Sequence, residues 1–199
     1  MYWKYDVRSY FEQYTNFDNA SVLDLGCNHA NFLRYKDHKD YTGIDIDAQT
    51  IDRNRKKYPQ KKWQYYNGYN QMYNKQGNEP LVLHEQYDIT IMFSVITHMK
   101  SPEMLDLIEY LKKHSSEILM SYFSTDCYAA YKTTCDYRNI PTDDWNDIKK
   151  ADSYYLENDQ GLWTFYNDDY LEHITGGTTH DTKYDTSSIL GIQKCLKIK

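Results

Sequence analysis

The 199-residue sequence has no long apolar run and few cysteines, and each absence excludes a class of protein. No stretch approaches the ~20 apolar residues that a membrane span needs, and residues 1–6 contain no apolar core of a signal peptide. The four cysteines, at positions 27, 127, 135 and 195, form no C-x-x-C pair. We therefore expect no membrane partner, no zinc knuckle and no disulfide framework, and we place the chain in a reducing cytoplasm.

Excess positive charge is missing as well. The formal net charge is −6, whereas proteins that bind nucleic acid usually present a basic face to the phosphates. The longest basic cluster, residues 53–62, has the pattern of a solvated helix face. We expect a single domain over residues 1–199 that binds no nucleic acid, and this domain could belong to a longer multidomain chain.

Short apolar runs alternate with polar, helix-compatible segments through the first two-thirds of the chain. Strands are predicted in these runs, with a terminal strand last, at residues 21–25, 41–46, 63–66, 87–93, 118–123 and 188–192. Helices are predicted after Asp47 or Thr50, from Ser101 as N-cap with Pro102 at the first helical position, and from Asn167. This alternation is typical of βαβ units around a parallel sheet.

Residues 124–160 break the alternation with a polar stretch that is rich in Tyr and also contains Trp145. A long connection inside a compact domain is usually functional, so we interpret it as an aromatic lid over a substrate. Flat aromatic faces beside carboxylates and amides suit a neutral polyol such as a sugar. The same composition could also cover an apolar core.

The first predicted strand ends in an acidic residue and a glycine turn, Asp24-Leu25-Gly26. A strand that passes through a glycine turn into a helix forms a ligand site, because free backbone N–H groups point at the ligand and glycine allows close approach. A carboxylate at this point would repel the pyrophosphate of a dinucleotide but would favour a cofactor that carries an ammonium and a sulfonium. Together with the missing G-x-G-x-x-G, Asp24 argues against a nucleotide-dependent oxidoreductase.

Residues 22–30, Val-Leu-Asp-Leu-Gly-Cys-Asn-His-Ala, resemble the first motif of the class I (Rossmann-like) S-adenosylmethionine-dependent methyltransferases. That motif is an acidic residue followed by G-x-G-x-G, and here Asn28 and Ala30 replace its later glycines. The resemblance extends over about residues 20–123. It implies an α/β fold with a seven-stranded, mostly parallel sheet in the order 3-2-1-4-5-7-6, helices on both faces and an antiparallel last strand. It also implies S-adenosyl-L-methionine as the cofactor.

The resemblance also implies roles for individual residues. Asp45 would bind the ribose hydroxyls, with Asp47 a weaker candidate that is better explained as a helix cap. Asn67 would contact the adenine amino group, with Tyr69 a stacking partner, although a plain Asn-Gly turn explains these residues equally well. The complete set of expected cofactor-binding residues is Asp24, Gly26, Asn28, Asp45, Asn67 and Ser94.

The turn after the fourth predicted strand argues against nucleobases as methyl acceptors. Methylation of base amino groups normally uses a [D/N/S]-P-P-[Y/F/W] turn there, and residues 94–97 are Ser-Val-Ile-Thr. Methylation of cytosine C5 needs a Cys after a Pro, and none of the four prolines precedes a Cys.

Transfer to a hydroxyl requires a base that takes the proton. His98, where many members of the family have a His, is the leading candidate, although it could instead only hydrogen-bond the turn. Asp126, after the fifth predicted strand, is the second candidate catalytic residue, and His173 and His180 are further ones.

A cluster of His180, Asp181 and Asp185 could be interpreted as a metal site, but polar loops often have this composition, and we predict no metal. The leading hypothesis is O-methylation of a hydroxyl on a sugar or glycan. The alternatives are N- or O-methylation of another small metabolite or of a protein side chain, and a non-catalytic methyltransferase-like module that binds a partner.

Overall fold

The computed structural model describes residues 6–127, 152–158, 161–183 and 193–199. In these ranges the strands are β1 Val22–Leu25, β2 Tyr41–Asp45, β3 Lys62–Tyr65, β4 Tyr87–Met92, β5 Ser115–Ser124, β6 Ser153–Asn158, β7 Gly161–Tyr166, β8 Thr178–His180 and β9 Gln193–Ile198. The helices are α1 Val7–Phe11, α2 Ala48–Lys57, α3 Ser101–Leu111 and α4 Asp168–Thr175.

The sheet confirms the predicted order. Strands β3-β2-β1-β4-β5 are neighbours and all run parallel. The last strand, β9, is antiparallel to β5, and β8 pairs with its other edge, so that β9 and β8 hold the places of the expected seventh and sixth strands. The segment 188–192, where we predicted the start of the terminal strand, lies outside the described residues, and the described strand is Gln193–Ile198.

The hairpin of β6 and β7 is an addition that the sequence did not predict. Its two strands are antiparallel, and β7 also pairs in parallel with the carboxyl end of β5 at Phe123 and Ser124. Residues 153–158, which we assigned to the aromatic lid, are therefore part of a strand. Most of the remaining lid, residues 128–151, lies outside the described part of the chain.

Alternation along the strands divides the core between the two faces of the sheet. Leu23 belongs to one buried cluster, whereas its neighbour Val22 belongs to another. Met104 and Ile108 of α3 fill the first cluster, and Tyr10 of α1 fills the second. Helices therefore cover both faces, as predicted, and every parallel strand ends at the same edge of the sheet.

Helix caps follow local sequence signals with one exception. Asp47 caps α2 by accepting from the Gln49 N–H, and the Asn167 side chain caps α4. Ser101, the predicted N-cap of α3, is instead its first helical residue. Its hydroxyl forms a hydrogen bond of 3.0 Å with the Tyr155 hydroxyl of β6. This tertiary contact takes the place of the predicted capping bond to the backbone of α3.

Of the helices that the structure describes, none has both the length and the apolar character that crossing a membrane requires.

Truncation of the central core should be costly. Ile91 is fully buried on β4, between β1 and β5, and Ile91→Ala should lower the free energy of unfolding by about 2–5 kcal/mol, because it removes buried apolar atoms and leaves a cavity. Val82→Ala is the control, since Val82 is 45% exposed. Equal losses in the two variants, measured by urea denaturation, would contradict this description of the core.

Candidate active site

An open cavity of about 1820 Å³ lies at the carboxyl ends of β1, β2 and β4. In open α/β sheets ligands bind at this edge, where connections leave the central strands in opposite directions. Typical small-molecule sites enclose about 300–1,000 Å³. The cavity therefore has room for a nucleoside-sized ligand and a second molecule beside it.

The loop after β1 has left-handed backbone at Gly26 and also at Asn28 and Ala30, the two positions where the family's glycines are replaced. Gly26 has φ +75°, and a Cβ there would lie 2.5 Å from Cγ2 of Val95, so only glycine fits. Asn28 and Ala30 also have left-handed backbone, with φ of 45° and 55°. Asn54, buried on α2, donates a hydrogen bond of 2.6 Å to the Asn28 carbonyl and helps to hold this shape. Its role could not be recognised from the sequence, because Asn54 lies 26 residues away.

Asp45 lines the cavity at the end of β2. One carboxylate oxygen accepts from the Asn28 N–H at 2.8 Å and the other from the Asp47 N–H at 2.9 Å. Each oxygen keeps a lone pair for a ligand hydroxyl. Burial raises the pKa of Asp45, while the two backbone donors oppose the shift.

Asp24 forms part of the cavity wall, although only 3% of its surface is exposed. The Tyr41 hydroxyl donates to its carboxylate at 2.6 Å. Burial raises the pKa of Asp24 to about 7, and the negative charge of Asp45 adds to this effect. A ligand cation at this point would favour the ionised carboxylate.

Ser94 follows β4 in left-handed backbone, with φ 58°, and lines the same cavity. Its N–H donates to the Ser121 hydroxyl at 2.7 Å, and its own hydroxyl oxygen accepts from Gln193 Nε2 at 2.6 Å. Because the amide nitrogen can only donate, the Ser94 proton can point elsewhere. No sequence pattern indicated a role for Gln193, which reaches Ser94 because β9 lies beside β5.

His98 ends a 3-10 turn, Ile96–His98, at the edge of the cavity. Its Nδ1 lies 2.8 Å from the Leu162 carbonyl, and its Nε2 lies 3.3 Å from the Tyr73 hydroxyl. A carbonyl only accepts, so Nδ1 carries the proton and Nε2 holds the lone pair. Burial lowers the pKa of His98, and the hydrogen bond to Leu162 opposes this only in part. The imidazole is therefore neutral near pH 7 and able to accept a proton.

Asn67 lies beside the cavity rather than in its wall, whereas Tyr69 lines the cavity. The side-chain oxygen of Asn67 accepts from the Tyr65 hydroxyl and from Asn74 Nδ2, both at 3.1 Å. These contacts fix the turn that leads into the segment of residues 67–79. The contact of Asn67 with adenine stays a prediction.

The remaining candidate bases lie away from the cavity wall. Asp126 is exposed, with a carboxylate oxygen 3.9 Å from Lys194 Nζ, and His173 is exposed on α4. The His180 ring packs 5.5 Å from Tyr14. The structure thus places His98, and none of these three, on the wall of the cavity that Asp24, Gly26, Asn28, Asp45 and Ser94 also line.

The suggested metal cluster is only partly described. Asp181 pairs with Lys194 at 3.2 Å, and Asp185 lies outside the described residues. Within the described ranges no three His, Cys, Asp or Glu side chains are grouped as metal ligands.

A sequence profile described as a methyltransferase domain matches residues 3–176 of the chain. The chain belongs to this family of class I methyltransferases, whose methyl donor is S-adenosylmethionine. No curated protein matches it significantly in sequence.

Solved structures share the fold at low sequence identity. The magnesium protoporphyrin IX methyltransferase of Synechocystis PCC 6803, with bound S-adenosylhomocysteine, is 14% identical with a TM-score of 0.60, covering 96% of this chain and 78% of that one. A methyltransferase from Methanosarcina mazei is 12% identical with a TM-score of 0.59, covering 97% of both chains. The glycopeptide N-methyltransferase MtfA, complexed with S-adenosylhomocysteine, is 9% identical with a TM-score of 0.57, covering 96% and 86%.

Cofactor affinity should depend on the ionisation of Asp24. Below its pKa of about 7 the carboxyl is neutral, so the affinity for S-adenosylhomocysteine, which carries an ammonium, should rise between pH 5.5 and 7 by up to about tenfold per unit. Above pH 7 the affinity should level off. Calorimetry at pH 5.5, 6.5 and 7.5 measures this, with Asp24→Asn as the control that removes the rise.

The raised pKa of Asp24 has the opposite effect on the folding stability of the ligand-free protein, which decreases as the pH rises. The pKa of Asp24 is raised from 3.8, its ordinary value, to about 7 on folding. Its contribution to stability is therefore complete below about pH 4 and is lost as the pH rises to about 7. A cofactor affinity that falls over this same range would contradict the assignment of Asp24 to the cationic end of the ligand.

Proposed function

We propose that the protein transfers a methyl group from S-adenosylmethionine to a hydroxyl of a sugar or glycan. The observation that carries this proposal is the tautomer of His98. The Leu162 carbonyl fixes the proton on Nδ1 and leaves the Nε2 lone pair at the wall of the cavity that also holds Asp45 and Gly26. A neutral imidazole with this lone pair suits an acceptor that must lose a proton as it is methylated.

The residues on the β1–β2 side of the cavity fit the cofactor. The turn at Gly26 allows close approach of a ligand to backbone, and the Asp45 carboxylate retains lone pairs for two ribose hydroxyls. Asp24, whose hydrogen-bond donor is the neutral Tyr41, would accommodate the ammonium. When bound, S-adenosylmethionine supplies an electrophilic methyl group on its sulfonium.

The protein's part in the transfer is positioning and proton removal. The acceptor oxygen would be held in line with the methyl group on the β4 side of the cavity, near Ser94 and His98. As the carbon–oxygen bond forms and the carbon–sulfur bond breaks, His98 Nε2 would take the hydroxyl proton. The products are a methyl ether and S-adenosylhomocysteine, and the resulting imidazolium releases its proton to solvent.

The cavity wall formed by residues 65–79 supports a polyol as the acceptor. Two exposed tyrosines on this wall offer flat faces, and amide and carboxylate groups lie among them. These side chains are Tyr65, Tyr69, Asn70, Asn74, Asn78 and Glu79. Aromatic faces beside such groups suit the apolar and hydroxylated surfaces of a sugar ring.

We propose that residues 1–199 form one methyltransferase domain and that the stretch 124–160, apart from strand β6, contributes a lid over the acceptor. The cytoplasm is the compartment we propose, since Cys27 and Cys195 are buried free thiols.

Replacement of Asp45 tests the cofactor site. Asp45→Ala should weaken the binding of S-adenosylhomocysteine by roughly 1.5–3 kcal/mol, because it removes charge-assisted hydrogen bonds to the ribose. Asp40→Ala is the matched control, since this exposed carboxylate precedes the same strand at its opposite end. Unchanged affinity of Asp45→Ala in calorimetry would show that another residue binds the ribose.

Replacement of His98 tests the chemistry. In assays of S-adenosylhomocysteine formation with a panel of glycosides, His98→Ala should lower kcat by about 10²–10⁴-fold, the usual contribution of a positioned base, with cofactor affinity nearly intact. His98→Gln can hold a hydrogen bond but cannot take the proton.

If His98→Gln retains most of the activity, the role of His98 is structural, and Asp126 is the next residue to test as the base. Loss of turnover on treatment with a chelator, reversed by Mg²⁺, would contradict a mechanism without metal. Cofactor binding without turnover on any acceptor would favour the non-catalytic module.

A further inference from the structure

Tyr73 reaches the proton-accepting nitrogen of His98 from the segment between β3 and β4. Its hydroxyl lies 3.3 Å from Nε2, and the two rings meet edge to face, with centroids 5.2 Å apart and an angle of 89°. Tyr73 itself is 60% exposed and lines the cavity. No sequence pattern indicated a contact between Tyr73 and His98, which lies 25 residues later.

The contact that His98 makes through Nδ1 decides which group donates the hydrogen bond between Nε2 and the Tyr73 hydroxyl. Nδ1 donates to the Leu162 carbonyl, so a neutral His98 has no second proton to donate. The Tyr73 hydroxyl must therefore be the donor to Nε2. An imidazole nitrogen has one lone pair in the ring plane, so Nε2 accepts one well-formed hydrogen bond at a time.

We propose that Tyr73 is a specificity-determining residue that occupies the place of the acceptor hydroxyl on His98 and must be displaced by it. The inference rests on the proposed function of His98 as the base. The oxygen of Tyr73 then marks the position of the acceptor oxygen. The Trp163 ring, with its centroid 6.4 Å from that of the His98 ring, lines the same cavity and would contribute to this acceptor subsite.

The backbone around Tyr73 is fixed, so displacement requires only rotation of its side chain. Asn70 and Asn74 exchange backbone hydrogen bonds of 3.0 and 2.9 Å, and the Asn70 side-chain oxygen accepts from the N–H groups of Met72 and Tyr73. Asn70 Nδ2 also donates to the His98 carbonyl at 3.4 Å. The segment that carries Tyr73 is thus attached to the turn that carries His98, while the exposed phenol remains free to turn outward.

This arrangement selects acceptors by competition. An acceptor binds productively only if its hydroxyl and the contacts of its ring outweigh the hydrogen bond that Tyr73 already makes. Removal of the phenol oxygen should therefore lower the KM for the acceptor and leave kcat nearly unchanged, because the proton acceptor is intact. The change should be about 2- to 10-fold, the range that one neutral hydrogen bond spans.

The first test needs no acceptor. In ¹⁵N NMR of histidine-labelled protein with S-adenosylhomocysteine, Nδ1 of His98 should be protonated in wild type and in Tyr73→Phe. The Nε2 resonance should move downfield in Tyr73→Phe as its donor is lost. Tyr35→Phe is the matched control, because Tyr35 is 62% exposed and packs on Arg34. An unchanged Nε2 resonance in Tyr73→Phe, or a proton on Nε2, would overturn the proposal.

The second test uses methyl β-D-glucopyranoside as the hydroxyl probe. Tyr73→Phe should lower its KM with kcat within about twofold of wild type, whereas a raised KM or a large loss of kcat would show that Tyr73 instead holds the acceptor. Failure of the two proposals is distinguishable. If His98→Gln is fully active, His98 is not the base, even if the Nε2 resonance moves in Tyr73→Phe. If His98→Gln is inactive and the Nε2 resonance does not move in Tyr73→Phe, only the role of Tyr73 is rejected.

Discussion

The hydrogen bond from the Asn28 N–H to the Asp45 carboxylate joins the two halves of the proposed cofactor site. It links the loop after β1 to the end of β2, over a distance of 2.8 Å. The left-handed backbone of Asn28, supported by Asn54 from α2, points the N–H at the carboxylate. The loop therefore keeps its shape although two of the family's glycines are absent. The carboxylate in turn is oriented before any ligand binds, so little ordering is left for binding to accomplish.

Local signals made most of the frame predictable. A β-branched run predicted β4, Asp47 and Asn167 predicted helix starts, and the turn at Gly26 predicted the edge of the sheet where the cavity lies. Contacts between distant residues were not predictable in this way. Gln193 binds Ser94 across 99 positions of sequence, and the β6–β7 hairpin places the Leu162 carbonyl on His98 across 64 positions. Such pairs leave no periodicity or capping pattern in the sequence.

The fold and the acceptor are decided by different parts of the chain. Solved structures with this fold include enzymes named for a magnesium porphyrin and for a glycopeptide nitrogen. A shared sheet therefore does not select the acceptor. We propose that in this protein the selection falls to side chains that line the cavity, above all His98 and Tyr73 on connecting segments and Trp163 on β7.

The central claim is that one cavity holds the cofactor on Asp45 and turns its sulfur toward His98. A crystal structure with S-adenosylhomocysteine tests this most directly. The account predicts ribose hydroxyls on the Asp45 carboxylate and the sulfur facing His98 Nε2, with space for one methyl group and one acceptor oxygen between them. A sulfur that faces away from His98, or a cofactor bound without contact to Asp45, would contradict it.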